Sequence, residues 1–289
     1  MERKPLDASA FSLMVLLTAL WGFQQVAIKV TAADVSLVMQ AGIRSLIATA
    51  LLLVWIFWKK VPMTRRDGTL WPGIAAGLLF GGEFVFIYAG LEYTAASRMV
   101  VFIYLAPVFT ALGLHWVVKG EQLVPGQWAG VALAFAGIGL AFYEGKASLG
   151  DAFGVLGALL WAATTVLIRA TKLARVTATK TLFYQLAVSA AMLPLASLAM
   201  GEKGVVALTP LALASLAYQG AIVAFASYLA WFWLLTRYLA ARLSVFSFLT
   251  PLFGVLFGVL ILSEPLSAAF AGAALLVGAG IVLVNRPGR

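Results

Sequence analysis

The chain contains no cysteine. Disulfides, thiolate metal sites and a cysteine nucleophile are therefore excluded. His115 is the single histidine, so no His cluster can hold a catalytic metal and no His-Glu-x-x-His run exists. Gly-x-Ser-x-Gly and the phosphate-binding Gly-x-x-x-x-Gly-Lys-Ser/Thr are also absent. An intramembrane hydrolase needs a nucleophile beside a base, and with these motifs missing and His115 far from mid-membrane the sequence gives no sign of that arrangement. Charge is scarce as well, at 11% of residues. The expectation is a chain with no enzymatic activity, no metal and no cofactor.

Apolar residues take the place of what is missing. They make up 63% of the 289 residues, and mean hydropathy is +1.01. A single soluble core of this size cannot hide that much apolar surface, so lipid must cover the rest. The net charge of +9 does not indicate nucleic acid, because the basic residues sit in short loops between apolar runs. The positive-inside rule accounts for them. The start, Met1 to Asp7, has the charge of a signal peptide, but about twenty apolar residues follow without a small-x-small cleavage site. It is read as a retained first span.

A spanning helix needs about 20 mostly apolar residues. Ten stretches qualify: 10–30, 36–58, 70–91, 95–118, 126–143, 151–170, 180–199, 211–235, 242–262 and 266–284. Leu, Ala and Gly dominate them without the alternation of a barrel strand, and a backbone in lipid must bond to itself. Fifteen Lys and Arg fall in segments on the side of the termini and four on the other, with Arg44 inside the second span. That asymmetry puts both termini in the cytoplasm.

The second half repeats the first. Trp21 and Lys29 match Trp161 and Arg169; Arg98, Phe102, Pro107 and Phe109 match Arg242, Phe246, Pro251 and Phe253; Glu121 matches Glu264. Repeats 1–147 and 148–289 each hold five spans. An odd number makes the second enter the membrane from the opposite side, so the repeats are inverted about an axis in the membrane plane. The predicted fold is an all-α membrane protein of ten helices around a central cavity.

Tyr93-Thr-Ala-Ala-Ser-Arg, Leu105-Ala-Pro-Val-Phe, Lys119-Gly-Glu and Gln127-Trp-Ala-Gly resemble the first EamA-type repeat of the drug/metabolite transporter superfamily. Tyr238-Leu-Ala-Ala-Arg, Leu249-Thr-Pro-Leu-Phe, Ser263-Glu-Pro-Leu and Ala271-Gly resemble the second. Within that family the chain is most similar to bacterial exporters of aromatic amino acids. The resemblance implies a ten-helix basket in the bacterial inner membrane that exports amino acids or other amphipathic metabolites. It also leaves open drug or metabolite efflux with other substrates. A monomer contacting only its small-molecule substrate and lipid is expected.

Several residues stand out for transport. Gln24 and Gln25 lie near mid-membrane in the first span, with Thr164 and Thr165 at the matching points of the sixth. Polar side chains in hydrocarbon need partners, which makes these either interhelical contacts or ligands for a zwitterion. Trp21 and Trp161 are mid-membrane and symmetry-matched, whereas Trp55, Trp58, Trp71, Trp116, Trp128 and Trp233 fit an interfacial belt. Together with Phe84, Tyr88, Tyr104 and Tyr228 the two central tryptophans give either an aromatic cavity wall or ordinary packing. Arg44 and Glu83 are the intramembrane charges, read as a structural ion pair or, for Glu83, as a group that meets substrate or protons. Pro107 and Pro251 occupy equivalent places and are read as helix kinks, either fixed bends or paired hinges. Glycines 73, 77 and 81 form a packing stripe. His115 is a boundary residue.

Overall fold

The computed structural model describes residues 7–63, 67–119, 121–143, 148–238, 243 and 245–285. All regular structure among them is helical, apart from isolated bridge residues, of which Val35 and Val205 pair with each other. Eight helical stretches are long and apolar enough to cross a membrane, and two shorter ones, Phe246–Leu262 and Ala268–Val284, complete the set. Each of the ten expected spans is therefore helical over most of its described residues. Arg242, the repeat partner of Arg98, lies outside the described residues.

The elements are α1 (Ala8–Lys29), α2 (Leu37–Lys59), α3 (Leu70–Gly90), α4 (Ala96–Ile103), α5 (Ala106–Val117), α6 (Pro125–Tyr143), α7 (Leu149–Ala170), α8 (Ala178–Ala199), α9 (Pro210–Ala217), α10 (Tyr228–Arg237), α11 (Leu249–Leu262) and α12 (Ala268–Val284). Many starts carry a side-chain cap. Asp7 accepts from the Ala10 N–H, and Thr177, Thr209 and Ser267 do the same for α8, α9 and α12. Ser148 and Asp151 form a reciprocal capping box on α7. Such caps satisfy N–H groups that the helix itself leaves free.

Three spans are not continuous α-helix. The fourth breaks at Tyr104 and Leu105 and resumes as α5, with proline in the first turn. The ninth opens with a 3-10 turn, Val245–Phe248, before α11, whose third residue is Pro251. The interruption just ahead of each proline fits the expected bends in these two spans. Pro107 and Pro251 both sit in the first turn of a helical segment, where the missing N–H would have had no partner anyway. The proline inside a helix is Pro194 of α8, packed where a Cβ on Gly42 would come within 2.8 Å of its ring. The eighth span joins α9 to α10 through a π-helical segment, Tyr218–Ser227.

Small residues set the closest approaches. A Cβ at Gly73, Gly77 or Gly81 would run into Tyr184, Val188 or Met192 of α8 respectively, so the predicted stripe is a packing seam. Gly130 and Gly280 bring the backbones of α6 and α12 together. Elsewhere α1 packs on α11, α4 and α5 on α7, α2 on α8, and α3 on both α7 and α8.

Polar ties hold both faces. On the face opposite the chain start, Arg98 makes a two-pronged contact with the buried Asp151, with Nη2 at 2.8 Å from Oδ2 and Nε at 3.1 Å from Oδ1. Thr94 donates to the same carboxylate, and Lys29 Nζ donates to the Thr94 carbonyl at 2.7 Å. Glu264 accepts from the N–H groups of Ala96 and Ser97 at 2.6 and 2.9 Å. Glu202 accepts from Val38 and Met39 in the same way. Each carboxylate caps a helix that lies far away in sequence and has no side-chain cap of its own. Gly204, at φ +72°, turns the chain so that its carbonyl receives the Ser36 N–H. On the face of the chain start, Lys180 pairs with Asp67 at 2.5 Å, which holds the Asp67 carboxyl down at about 2. Arg169 pairs with Glu121 at 2.5 Å. His115 Nδ1 accepts from the Leu123 N–H at 2.9 Å, bracing a loop at the boundary.

Candidate functional site

The middle of α3 supplies three consecutive members of an aromatic column. Phe80, Phe84 and Tyr88 follow at the four-residue spacing that puts them on one helix face, and their rings meet edge to face at 4.8 and 5.9 Å. Tyr104 enters from the break between α4 and α5 and meets Trp161 of α7 edge-on at 5.7 Å. Phe84, Tyr88 and Tyr104 are buried, and Trp161 and Tyr228 are half-buried. Arg44 projects from α2 so that its guanidinium lies 4.1 Å above the Phe84 ring. Tyr88 and Tyr228 both lie within electrostatic reach of Arg44, and Tyr104 and Tyr228 within reach of Glu83. The structure therefore gathers Arg44, Glu83, Phe84, Tyr88, Tyr104, Trp161 and Tyr228 into one neighbourhood.

The direct ion pair expected between Arg44 and Glu83 does not form. Their charges interact electrostatically, yet Nε, Nη1 and Nη2 of Arg44 and Oε2 of Glu83 are buried without a close hydrogen-bond partner, the Tyr228 hydroxyl standing beside Arg44 at longer range. The flat face of the Arg44 guanidinium instead rests on Phe84 in a cation–π contact. Gln25 Oε1, Ser45 Oγ and Thr250 Oγ1 are also buried and unpartnered.

The other expected residues divide. Gln24 is buried beside the Tyr88 hydroxyl. Thr164 and Thr165 instead turn their hydroxyls back to the carbonyls of Leu160 and Trp161 in their own helix, at 2.8 and 3.1 Å. Trp21 stands apart from Trp161. Its Nε1 donates to Ser227 Oγ at 2.8 Å, and its ring packs edge-on against Trp231 in a separate apolar cluster.

A buried network next to this cluster was not singled out from the sequence. The Tyr88 hydroxyl donates to Gln219 Oε1 at 2.7 Å, and Gln219 Nε2 donates to Gln40 Oε1 at 2.9 Å and to Ser215 Oγ at 3.0 Å. Gln40 in turn donates to the carbonyls of Ile28 and Val35. The signal was available, since Gln40 and Gln219 are polar residues inside apolar spans like Gln24 and Gln25. Two surface depressions lie elsewhere. One is an apolar groove bounded by Ile43, Ile47, Leu213 and Leu216; the other lies near Gly68, Arg169 and Lys172. Neither includes a member of the aromatic cluster.

The polar and aromatic cluster lies inside the helical bundle. It contains no arrangement for bond-making chemistry. Comparison with known proteins agrees. A transporter of Archaeoglobus fulgidus, itself uncharacterized, is 28% identical over 97% of this chain and 98% of its own length. A probable amino-acid metabolite efflux pump of Escherichia coli is 26% identical over 92% and 91%, and one of Salmonella typhimurium is 24% identical over 94% and 93%. A solved crystal structure superposes with a TM-score of 0.67 at 20% identity, covering 96% of this chain and 98% of that one. At that identity the likeness speaks for the fold alone. The EamA-like transporter family matches twice, over residues 8–143 and 148–286, and the chain accordingly belongs to that family as an integral membrane transporter without enzymatic activity.

Proposed function

We propose that this protein exports amino acids, aromatic ones in particular, and related amphipathic metabolites from the cytoplasm by alternating access. The observation that carries this reading is the buried cluster of Phe84, Tyr88, Tyr104 and Trp161 around two intramembrane charges. Aromatic walls favour aromatic ligands, with each edge-on contact worth about 0.5–1.5 kcal/mol beyond burial. The names of the two probable amino-acid metabolite efflux pumps support the substrate class.

Alternating access rests on two inverted repeats, 1–147 and 148–289, with a shared site between them. The packing supports that relation. Exchanging the halves turns the contact of the first span with the ninth into the contact of the sixth with the fourth, and both occur. The fifth-tenth and second-seventh pairs map onto themselves, and both occur as well. The distribution of Lys and Arg supports cytoplasmic termini in the bacterial inner membrane.

The test is counterflow in proteoliposomes with labelled phenylalanine, tryptophan and threonine. Tyr104→Ala and Trp161→Ala should lower phenylalanine and tryptophan counterflow several-fold more than threonine counterflow. Equal losses for all three amino acids, or no counterflow of any, would refute aromatic selectivity or the substrate class respectively.

A further inference from the structure

Arg44 and Glu83 pose a physical problem that the packing does not solve. Both are buried within the helical bundle. A buried charge is costly unless it is paired and hydrogen-bonded. Among the described residues the ion pairs are Arg98–Asp151, Arg169–Glu121 and Lys180–Asp67, and Arg44 and Glu83 belong to none of them. Arg44 nevertheless has a fixed pose. Phe84 supports its flat face at 4.1 Å. A guanidinium carries its N–H donors in its plane, pointing outward from the edge. Stacking on a ring leaves that edge open to the two oxygens of a carboxylate. Glu83 is the residue before Phe84 on α3, with Oε2 unpartnered. The Arg44 edge and a Glu83 carboxyl oxygen are thus held near each other, coupled electrostatically but not joined.

We propose that Arg44 and Glu83 are a split receptor for the two charged ends of a free α-amino acid: the substrate carboxylate takes the Arg44 edge and its ammonium takes Glu83. The inference rests on the export reading above and names the part of the substrate that the site recognises. An amino acid brings one charge of each sign, so it satisfies both residues without adding net charge to the interior. Its side chain then faces Phe84, Tyr104 and Tyr228. Both residues are sealed from the surface, so the ligand reaches them only when one face of the bundle opens. Gln25 and Thr250, each with an unpartnered buried oxygen, are further acceptors for the ammonium.

The experiment measures equilibrium binding to the full chain in lipid nanodiscs, with three phenylalanine-shaped probes. They are L-phenylalanine, phenethylamine (no carboxylate) and 3-phenylpropionate (no ammonium), with L-alanine and L-leucine added. The parental protein should bind phenylalanine about 10- to 100-fold more tightly than either truncated probe, the range set by one lost charge-assisted contact. Arg44→Gln should erase the preference over phenethylamine. Glu83→Gln should erase the preference over 3-phenylpropionate. If a variant fails to fold, the parental comparison still decides: truncated probes that bind as well as phenylalanine overturn the proposal. A folded Arg44→Gln protein that keeps its full preference for phenylalanine over the amine also overturns it. Alanine binding as tightly as phenylalanine, with both head-group preferences intact, would instead remove the aromatic reading and leave the split receptor standing. No binding of any amino acid would overturn both.

Discussion

Glu264 should be one of the most sensitive single positions for stability. Its carboxylate is the cap of α4, bound to the N–H groups of Ala96 and Ser97 at 2.6 and 2.9 Å, and the residue before the helix, Ala95, has no side chain to replace it. Hydrogen bonds to a charged group contribute about 1.5–3 kcal/mol each. Glu264 is half-exposed, so the lower end applies and the two bonds together give roughly 3 kcal/mol. The negative charge at a helix start adds about 0.3–1 kcal/mol. Glu264→Ala should therefore cost about 3–4 kcal/mol, which at roughly 2–4 °C per kcal/mol lowers the Tm by about 6–16 °C. Glu264→Gln keeps one acceptor and turns an N–H toward the other donor, so it should lose about half as much. Gly258 supplies an internal control, because a Cβ there would stand 2.5 Å from Glu264 Oε2. Gly258→Ala should push the carboxylate off its donors and destabilise the parent, yet do much less harm when Glu264 is already Ala. Thermal unfolding of the purified protein in detergent measures all four. A Tm for Glu264→Ala within about 1 °C of the parent, or strictly additive losses in the double variant, would refute the capping argument.

The Asp67–Lys180 contact predicts an acid dependence. Asp67 titrates at about 2 in the folded protein against 3.8 for an unperturbed carboxyl, chiefly because Lys180 donates to it and Thr69 adds a second bond. Its pKa is lower folded than unfolded, so its contribution is fully present above about pH 4 and fades as pH falls toward 2. The stability gap between the parent and Asp67→Asn should be constant above about pH 4 and close below it; a gap unchanged down to pH 2 would exclude the link. Pro107→Ala and Pro251→Ala should fold, bind substrate and transport slowly. They should also bias the reaction of single cysteines at Ser148 and Thr177 with an impermeant maleimide toward opposite faces; parental rates and unchanged labelling would make both prolines architecture.

The ten spans were legible because lipid imposes one rule on every segment: each backbone group must bond within its own helix, and that demands long apolar runs. The breaks inside spans were less legible. Nothing in Phe102-Ile103-Tyr104-Leu105 announces that α4 stops, since each of these residues fits a helix and tertiary packing decides. Pro107 marked the bend but not its exact place, because a proline disturbs the turn before it and the residues that yield depend on packing. The π segment Tyr218–Ser227 hid the surroundings of Tyr228. Its wider winding shifts every later residue around the axis, so a count at 3.6 residues per turn misplaces them. Phe84 and Tyr88 were picked out as aromatics of the third span, but their alignment with Phe80 on one helix face was not drawn. The fate of Arg44 was not legible. Whether a guanidinium meets a carboxylate or a ring depends on a few ångströms of helix placement, and sequence spacing carries no such detail.

The close seam between α6 and α12 also bears on the surrounding bilayer. α12 has 17 residues, which at about 1.5 Å per residue span roughly 26 Å, whereas α7 and α8, with 22 residues each, reach about 33 Å. The hydrocarbon layer of a typical bilayer is about 30 Å thick. Because Gly130 and Gly280 lock the short helix to α6 backbone to backbone, α12 cannot slide along its neighbour to find a better depth. Lipid must adjust instead, thinning along this flank at a fraction of a kcal/mol per ångström. The protein should therefore sit most comfortably among shorter acyl chains, and a pool of such lipids should gather beside α6 and α12.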